Sequence, residues 1–307
     1  MPGDPFADLP EKDRFPKSAR ILDGWVRDAQ KLVGSRGERV GWILASTIVT
    51  AALQRELRDG TPVFLLKGGA FIERALDLKA RATKDLDTLY RGLEADLADD
   101  IDRALAQPWG EITFSRTPIE VIDKAKRVVK PRRFKVQLDI RGVRWRSIQV
   151  EASFAEGSSG HHTGSLPAPS TGFFGIDRPD KIVTIAMGYQ IAQKLHACTD
   201  PDEAPEFIND RVRDIVDLLL IRDAFYPQAS DLTNVRAACE DVFASRADEA
   251  AQLGHGPRHW PPVVVANDVW RATWHIPAGQ VGLELTLDEA IAEVNAWIHE
   301  FASQNRR

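Results

Sequence analysis

Two short motifs in one order limit what this chain can fold into: Lys67-Gly68-Gly69, then Lys84-Asp85-Leu86-Asp87. A strand carries residues i and i+2 on the same face, so Asp85 and Asp87 point together while Leu86 faces the sheet interior. Upstream, residues 61–66 (Thr-Pro-Val-Phe-Leu-Leu) read as a short buried strand, the Gly pair as a tight turn, and 70–78 as a helix. That order sets a helix N-terminus, with its free backbone N–H groups, beside two carboxylates that can share a divalent metal. Such a place suits phosphate. Each half is commonplace alone, an Asp-x-Asp being usually a solvated face and Gly-Gly a turn. Together, as strand, Gly-Gly, helix and strand, they point to nucleotidyl transfer.

The rest of the chain reads as a support for that unit. Residues 1–16 form a polar lead-in, 19–33 and 38–58 two helices, the second strongly apolar. A helix over 93–106 and a strand near 111–115 follow the Asp-x-Asp strand. Alternation over 134–140 and 143–154, with Arg141-Gly142 between, predicts a hairpin. The segment 156–175 is rich in Gly, Ser and Pro and reads as a linker; adjacent His161 and His162 lack the further partners a metal site needs. Helices are expected over 180–197, 210–225, 231–247 and 287–303, with Asp210 and Asp231 at N-cap positions, while 260–274 carries mixed signals. The expected fold class is α+β: a mixed-sheet domain over 1–175 and a mainly helical domain over 176–307.

Composition narrows the setting. With 43% hydrophobic and 28% charged residues among 307, the chain is that of a soluble globular protein. Its longest apolar stretch, 40–53, is too short to span a bilayer, which argues for no membrane partner. The N-terminus lacks the basic and apolar blocks of a signal peptide, so a cytoplasmic location is expected. Cys198 and Cys239 sit in no metal-binding pattern. A net charge of −5 argues against indiscriminate coating of nucleic acid. Residues 124–135 are a local exception, carrying Lys124, Lys126, Arg127, Lys130, Arg132, Arg133 and Lys135, with Arg141, Arg144 and Arg146 beyond. Such a run reads either as a polyanion-facing patch or as a solubilising surface.

A two-metal site needs a further acid for the ion at the attacking hydroxyl. Asp139 and Glu151 both fall on the polar face of the hairpin, and the pattern does not choose between them. In the helical half, Lys194 lies off the Ile191/Leu195 stripe, and Arg211, Asp214 and Asp217 share one ridge of their helix. Surface ion pairs explain such spacings without any function.

Four blocks, read together, go further: Leu65-Leu66-Lys67-Gly68-Gly69-Ala70, the run from Arg81 through Thr83 to Asp87, Gln190-Ile191-Ala192-Gln193-Lys194-Leu195-His196-Ala197, and the helix from Arg211 through Asp214 and Asp217 to Leu219. In this order they resemble the AbiEii-type nucleotidyltransferase toxins of the DNA polymerase β-like superfamily, particularly the branch with the mycobacterial MenT toxins. The resemblance implies that Lys67, Gly68, Gly69 and Thr83 hold an NTP and that Asp85 and Asp87 bind Mg2+. It also implies that Glu151 stands at the third acid's position, usually Asp, and that Lys194, Arg211 and Asp214 close over the nucleotide. Asp85, Asp87, Glu151 and Lys194 would then be the catalytic set. The implied activity is transfer of a nucleoside monophosphate to an RNA acceptor, the tRNA 3′ end for the best understood members, which blocks translation; the alternatives are a transferase acting on a small-molecule or protein hydroxyl and a non-catalytic NTP- or partner-binding protein of the same fold. A separately encoded antitoxin is the implied partner.

Overall fold

The computed structural model describes residues 4–34, 39–76, 80–123, 127–203, 207–227 and 231–304. Helix α1 (Ala19–Leu32) starts at Ser18, whose hydroxyl accepts from the Ile21 N–H, and buries Leu22, Val26 and Ala29 along one stripe. Helix α2 (Arg39–Leu53) is apolar nearly all round and buries every residue from Val40 to Leu53 except Trp42. A helix without a polar face belongs in the interior. Here it lies between the sheet and helices α1 and α4 (Leu97–Leu105).

The sheet carries the site. After the small hairpin of β1 (Leu57–Arg58) and β2 (Thr61–Pro62) come β3 (Phe64–Leu66), helix α3 (Gly68–Ala75) and β4 (Asp85–Tyr90). Strands β5 (Ile112–Arg116), β6 (Glu120–Val121), β7 (Arg132–Ile140), β8 (Val143–Phe154), β9 (Thr163–Pro167) and β10 (Lys181–Ile185) complete it. The order is β5-β7-β8-β4-β3-β10-β9, with β6 paired to β7. Strand β4 runs antiparallel to β3 and parallel to β8, which makes the sheet mixed. The alternation in the hairpin strands is realised: Phe134, Val136, Leu138 and Ile140 on β7 and Ile148, Val150 and Ala152 on β8 are all buried.

Helices α5 (Met187–Cys198), α6 (Val212–Phe225), α7 (Thr233–Leu253), α8 (Asp268–Thr273), α9 (His275–Val281) and α10 (Leu287–Ser303) follow. Helix α5 packs on α6 and α7, and α10 closes over both of those. Cys198 and Cys239 are free and buried.

Several expectations need correction. The helix expected over 180–197 is two elements. Lys181–Ile185 is strand β10, parallel to β3, so the sheet continues past 175 and the helical part starts at α5. The supposed linker contributes β9, because its Gly and Ser backbone pairs with β10. Asp210 caps nothing, since α6 begins at Val212 with Arg211 as its N-cap. The lead-in is anchored: Phe6 is 1% exposed and meets the Phe174 ring edge-on at 5.5 Å.

Candidate active site

The glycine side of the cleft begins where β3 ends. Lys67 is extended and Gly68 has φ +67°, a conformation that L side chains rarely adopt. The Lys67 N–H donates to the Asp87 carbonyl at 3.0 Å, tying the turn to β4. A Cβ on Gly68 would fall 2.3 Å from Asp87 Oδ2, and one on Gly69 would fall 3.0 Å from Thr83 Oγ1. Gly68 is thus required for the close approach of the turn to the acidic strand, while Gly69 sits tightly against Thr83.

The parallel pairing of β4 with β8 sets Asp85 opposite Gln149 and Asp87 opposite Glu151. Gln149 Nε2 donates to Asp85 Oδ1 at 2.7 Å, orienting that carboxylate. Glu151 thereby stands beside Asp87 on the same face. One of its oxygens, Oε1, accepts from Arg133 Nε at 2.9 Å and Nη2 at 2.6 Å, Arg133 being its register partner on β7. Asp139 lies at the far end of the hairpin, past the irregularity at Leu138/Asp139, and is bound to Arg144 at 2.5 Å.

The helical half covers this face. Gln190 Oε1 accepts from the Gly68 N–H at 3.0 Å, and Lys67 Nζ donates to Gln193 Oε1 at 3.2 Å. The expectation of wholly free N–H groups at the turn is therefore corrected: a side chain of α5 engages that of Gly68. Lys194 is 7% exposed and is no surface residue. Its ammonium donates to Asp214 at 2.8 Å and to Asp217 at 2.6 Å. Arg81, from the loop before β4, makes a two-pronged contact with Asp217 at 3.0 and 2.9 Å, and Arg211 reaches Asp214 at 3.7 Å. Burial alone would lower the Lys194 pKa, but Asp214 and Asp217 more than offset it and hold the group above its ordinary value. Asp214 is held below its ordinary value: burial works against its charge, and Lys194 and Arg211 prevail.

A second ion cluster closes the rear. Glu156, just after β8, accepts from Arg127 at 2.6 Å, and Glu249 on α7 binds both Arg127 at 2.8 Å and Arg246 at 2.9 Å. Burial would raise the Glu156 pKa, yet Arg246, Arg127 and Lys67 bring it down to about 2. Lys67 is itself lowered by burial, with Glu156 and Asp87 opposing that shift.

All ten residues expected to serve the site, Lys67, Gly68, Gly69, Thr83, Asp85, Asp87, Glu151, Lys194, Arg211 and Asp214, line one cleft of about 220 Å³. Arg81, Asp217, Gln190, Gln193, Glu156 and Arg246 were not foreseen as participants. The first four lie inside the motif blocks, the one signal that marks them; Glu156 and Arg246 carry no local signal. The basic run is largely neutralised in place: Lys130 pairs with Asp123, Arg132 with Glu94, Arg133 with Glu151 and Arg141 with Glu111. Lys124 and Lys126 lie outside the described residues.

Among the described residues no three His, Cys, Asp or Glu side chains converge into a ready metal cage. Magnesium seldom uses one, binding through one or two carboxylates together with substrate phosphates. Asp85 and Asp87 on one strand face, beside a turn held open by Gly68, fit that mode with hard oxygen donors. No helix among the described residues is long and apolar enough to cross a membrane.

The family model described as nucleotidyl transferase AbiEii toxin, Type IV TA system, matches residues 51–296. A search of curated proteins gives no match. Among solved structures, MenT4, a nucleotidyltransferase toxin from Mycobacterium tuberculosis H37Rv, superposes with a TM-score of 0.51 at 13% identity, covering 93% of this chain and 98% of its own. JHP933 from Helicobacter pylori gives 0.44 at 12% identity, over 87% of this chain and 93% of its own. The family match spans well over half of the chain, so this protein belongs to the AbiEii nucleotidyltransferase toxins and is an NTP-dependent nucleotidyltransferase of a toxin–antitoxin system.

Proposed function

We propose that this enzyme moves a nucleoside monophosphate from a magnesium-bound NTP to a hydroxyl of an RNA, in the first place the tRNA 3′ end, and thereby blocks translation. The observation that carries the chemistry is the register of β4 on β8, which sets Glu151 beside Asp87 and both next to the Gly68-Gly69 turn. Asp85 and Asp87 would hold magnesium with the phosphates, and Glu151 is the third acid. When bound, magnesium supplies Lewis-acid polarisation of the phosphates and activation of the acceptor hydroxyl. The protein's part is positioning and charge compensation. Gly68 and Gly69 bring backbone close to the triphosphate, and Lys194 and Arg211 meet its negative charge. Asp87 or Glu151 orients the hydroxyl, and one of the two takes its proton. The acceptor oxygen bonds to the α-phosphorus, the bond from that phosphorus to the bridging oxygen breaks, and pyrophosphate leaves in line with the attack.

The RNA acceptor rests on the family resemblance and on Arg211 and Arg213, which line the cleft opposite the acidic strand. The paired state of the basic run removes much of its weight as a docking surface. The division into a sheet-bearing domain that holds the nucleotide and a helical domain that covers it is part of the same proposal. The test offers α-labelled NTP to total RNA, protein and small hydroxyl compounds with magnesium present. Label in RNA, absent with Asp87→Ala, is the expected result. Label in protein or small molecules alone would move the acceptor to that class.

A further inference from the structure

Beyond the acidic strand the cleft opens into a second lobe of about 330 Å³, walled by Ile122, Pro131, Ser153 and Phe207, and seven residues, Lys67, Asp87, Glu151 and Arg211 among them, line both lobes. We propose that this lobe is the acceptor subsite and that it takes the terminal nucleoside of an RNA strand with its base against Phe207, an inference that rests on the transfer reaction proposed above.

The sheet order sets the unshared walls of the two lobes apart. Gly68 and Gly69 follow β3, so the triphosphate lobe lies over β3 and β4. Ser153 on β8, Pro131 at the start of β7 and Ile122 at the end of β6 place the second lobe on the other side of Asp87 and Glu151. In-line displacement requires the entering hydroxyl and departing pyrophosphate on opposite sides of the α-phosphorus. With pyrophosphate held at the Gly68-Gly69 turn, the hydroxyl arrives from the β8 and β7 side, where this lobe is. The walls differ in part as well. Both lobes carry charged side chains of either sign, Asp200, Asp210 and Arg127 being added in the second, but only the second adds an aromatic ring, an aliphatic side chain and a proline, Phe207, Ile122 and Pro131. An apolar, partly aromatic wall beside cations suits a base with its phosphate, as in single-strand recognition by stacking. Its volume lies at the lower end of small-ligand pockets, roughly 300–1,000 Å³, which admits one nucleoside and excludes a duplex.

The test measures transfer from α-labelled NTP to total RNA, determining KM for RNA and KM for NTP separately in the parent, Phe207→Ala, Phe207→Tyr and Ile122→Glu. Phe207→Ala should raise the RNA KM roughly fivefold to a hundredfold, the loss of one base–aromatic stack. Phe207→Tyr should restore it, and the NTP KM should not move. Ile122→Glu, a change at a partly exposed position, should raise the RNA KM alone by repelling phosphate, so that a folding defect at Phe207 does not decide the matter. An increase confined to the NTP KM would overturn the proposal and give the lobe to the donor nucleoside; unchanged constants in both variants would also overturn it. A parent that labels no RNA would instead overturn the transfer reading itself, and this inference with it.

Discussion

Lys194→Met removes one charge from the middle of a buried chain of ion pairs and keeps most of the side-chain volume. Its two acceptors, Asp214 and Asp217, are 4% and 0% exposed. Removing one partner of a buried pair costs about 3–5 kcal/mol, because the other charge is left without compensation. Asp217 keeps its two-pronged contact with Arg81, and Asp214 keeps Arg211 at 3.7 Å with Arg213 nearby, so the loss should fall near the lower figure. At roughly 2–4 °C per kcal/mol for a chain of this size class, the melting temperature should drop on the order of 10 °C. Adding Asp214→Asn removes the stranded charge, so the double variant should regain stability without regaining transfer. The pH dependence follows from the signs of the shifts. Asp214 titrates below its ordinary value of 3.8, so its contribution is present above that pH and is lost as pH falls through the lowered folded value. Lys194 titrates above its ordinary 10.5, so its contribution is present below that pH and is lost as pH rises through the raised folded value. Between about pH 5 and 9 the gap between parent and variant should therefore be flat. Thermal denaturation across that range, with transfer assayed well below each melting point, is the measurement. A loss under about 1 kcal/mol, the value for an exposed pair, would refute the reasoning.

Asp87→Ala should leave the protein folded and lower transfer on the order of a thousandfold or more, several kcal/mol of transition-state stabilisation; parental rates would remove Asp87 from the reaction. Glu151→Gln keeps the shape of the third acid without its charge and should be nearly inactive, whereas Asp139→Asn, at the hairpin end against Arg144, should be tolerated, and the opposite pattern in labelled-NTP assays would reverse the assignment. Gly68→Ala places a methyl group 2.3 Å from Asp87 Oδ2 at φ +67°. A left-handed residue costs about 1–2 kcal/mol, so its melting temperature should fall by a few degrees while transfer falls at least tenfold, and unchanged kinetics would show that the turn does not need its close approach.

The sheet side of the site was legible because its rules are local. Period-two alternation decides which face of a strand Asp85 and Asp87 share, and the same alternation left Asp139 and Glu151 equivalent. What separates those two is register between strands. Asp87 faces Glu151 only because β4 pairs in parallel with β8, far along the chain, and no spacing within either segment records that pairing. Strand β10 was misread for a related reason. Lys181–Ile185 runs directly into α5, and a short apolar stretch next to a helix has the periodicity of either element until β3 offers it hydrogen bonds.

The helical side was legible only as a set of charged positions, because the choice of ion partner belongs to the fold. Arg81 finds Asp217 at a separation of 136 residues, Lys67 finds Gln193 at 126, and Arg127 finds Glu249 at 122. With 40 basic and 45 acidic residues, the sequence offers far too many pairings to select these. The same indeterminacy explains the basic run. Its cations count toward a polyanion-facing surface only while they are unpaired, and Arg132 and Arg133 are instead engaged by Glu94 and Glu151. Arg133 is the informative case, for its guanidinium holds one oxygen of Glu151. A cation that read as part of either a polyanion-facing patch or a solubilising surface is bound to Glu151. Replacing it would perturb the acid and any RNA contact together, which is why the acceptor is better probed from the opposite wall, at Phe207.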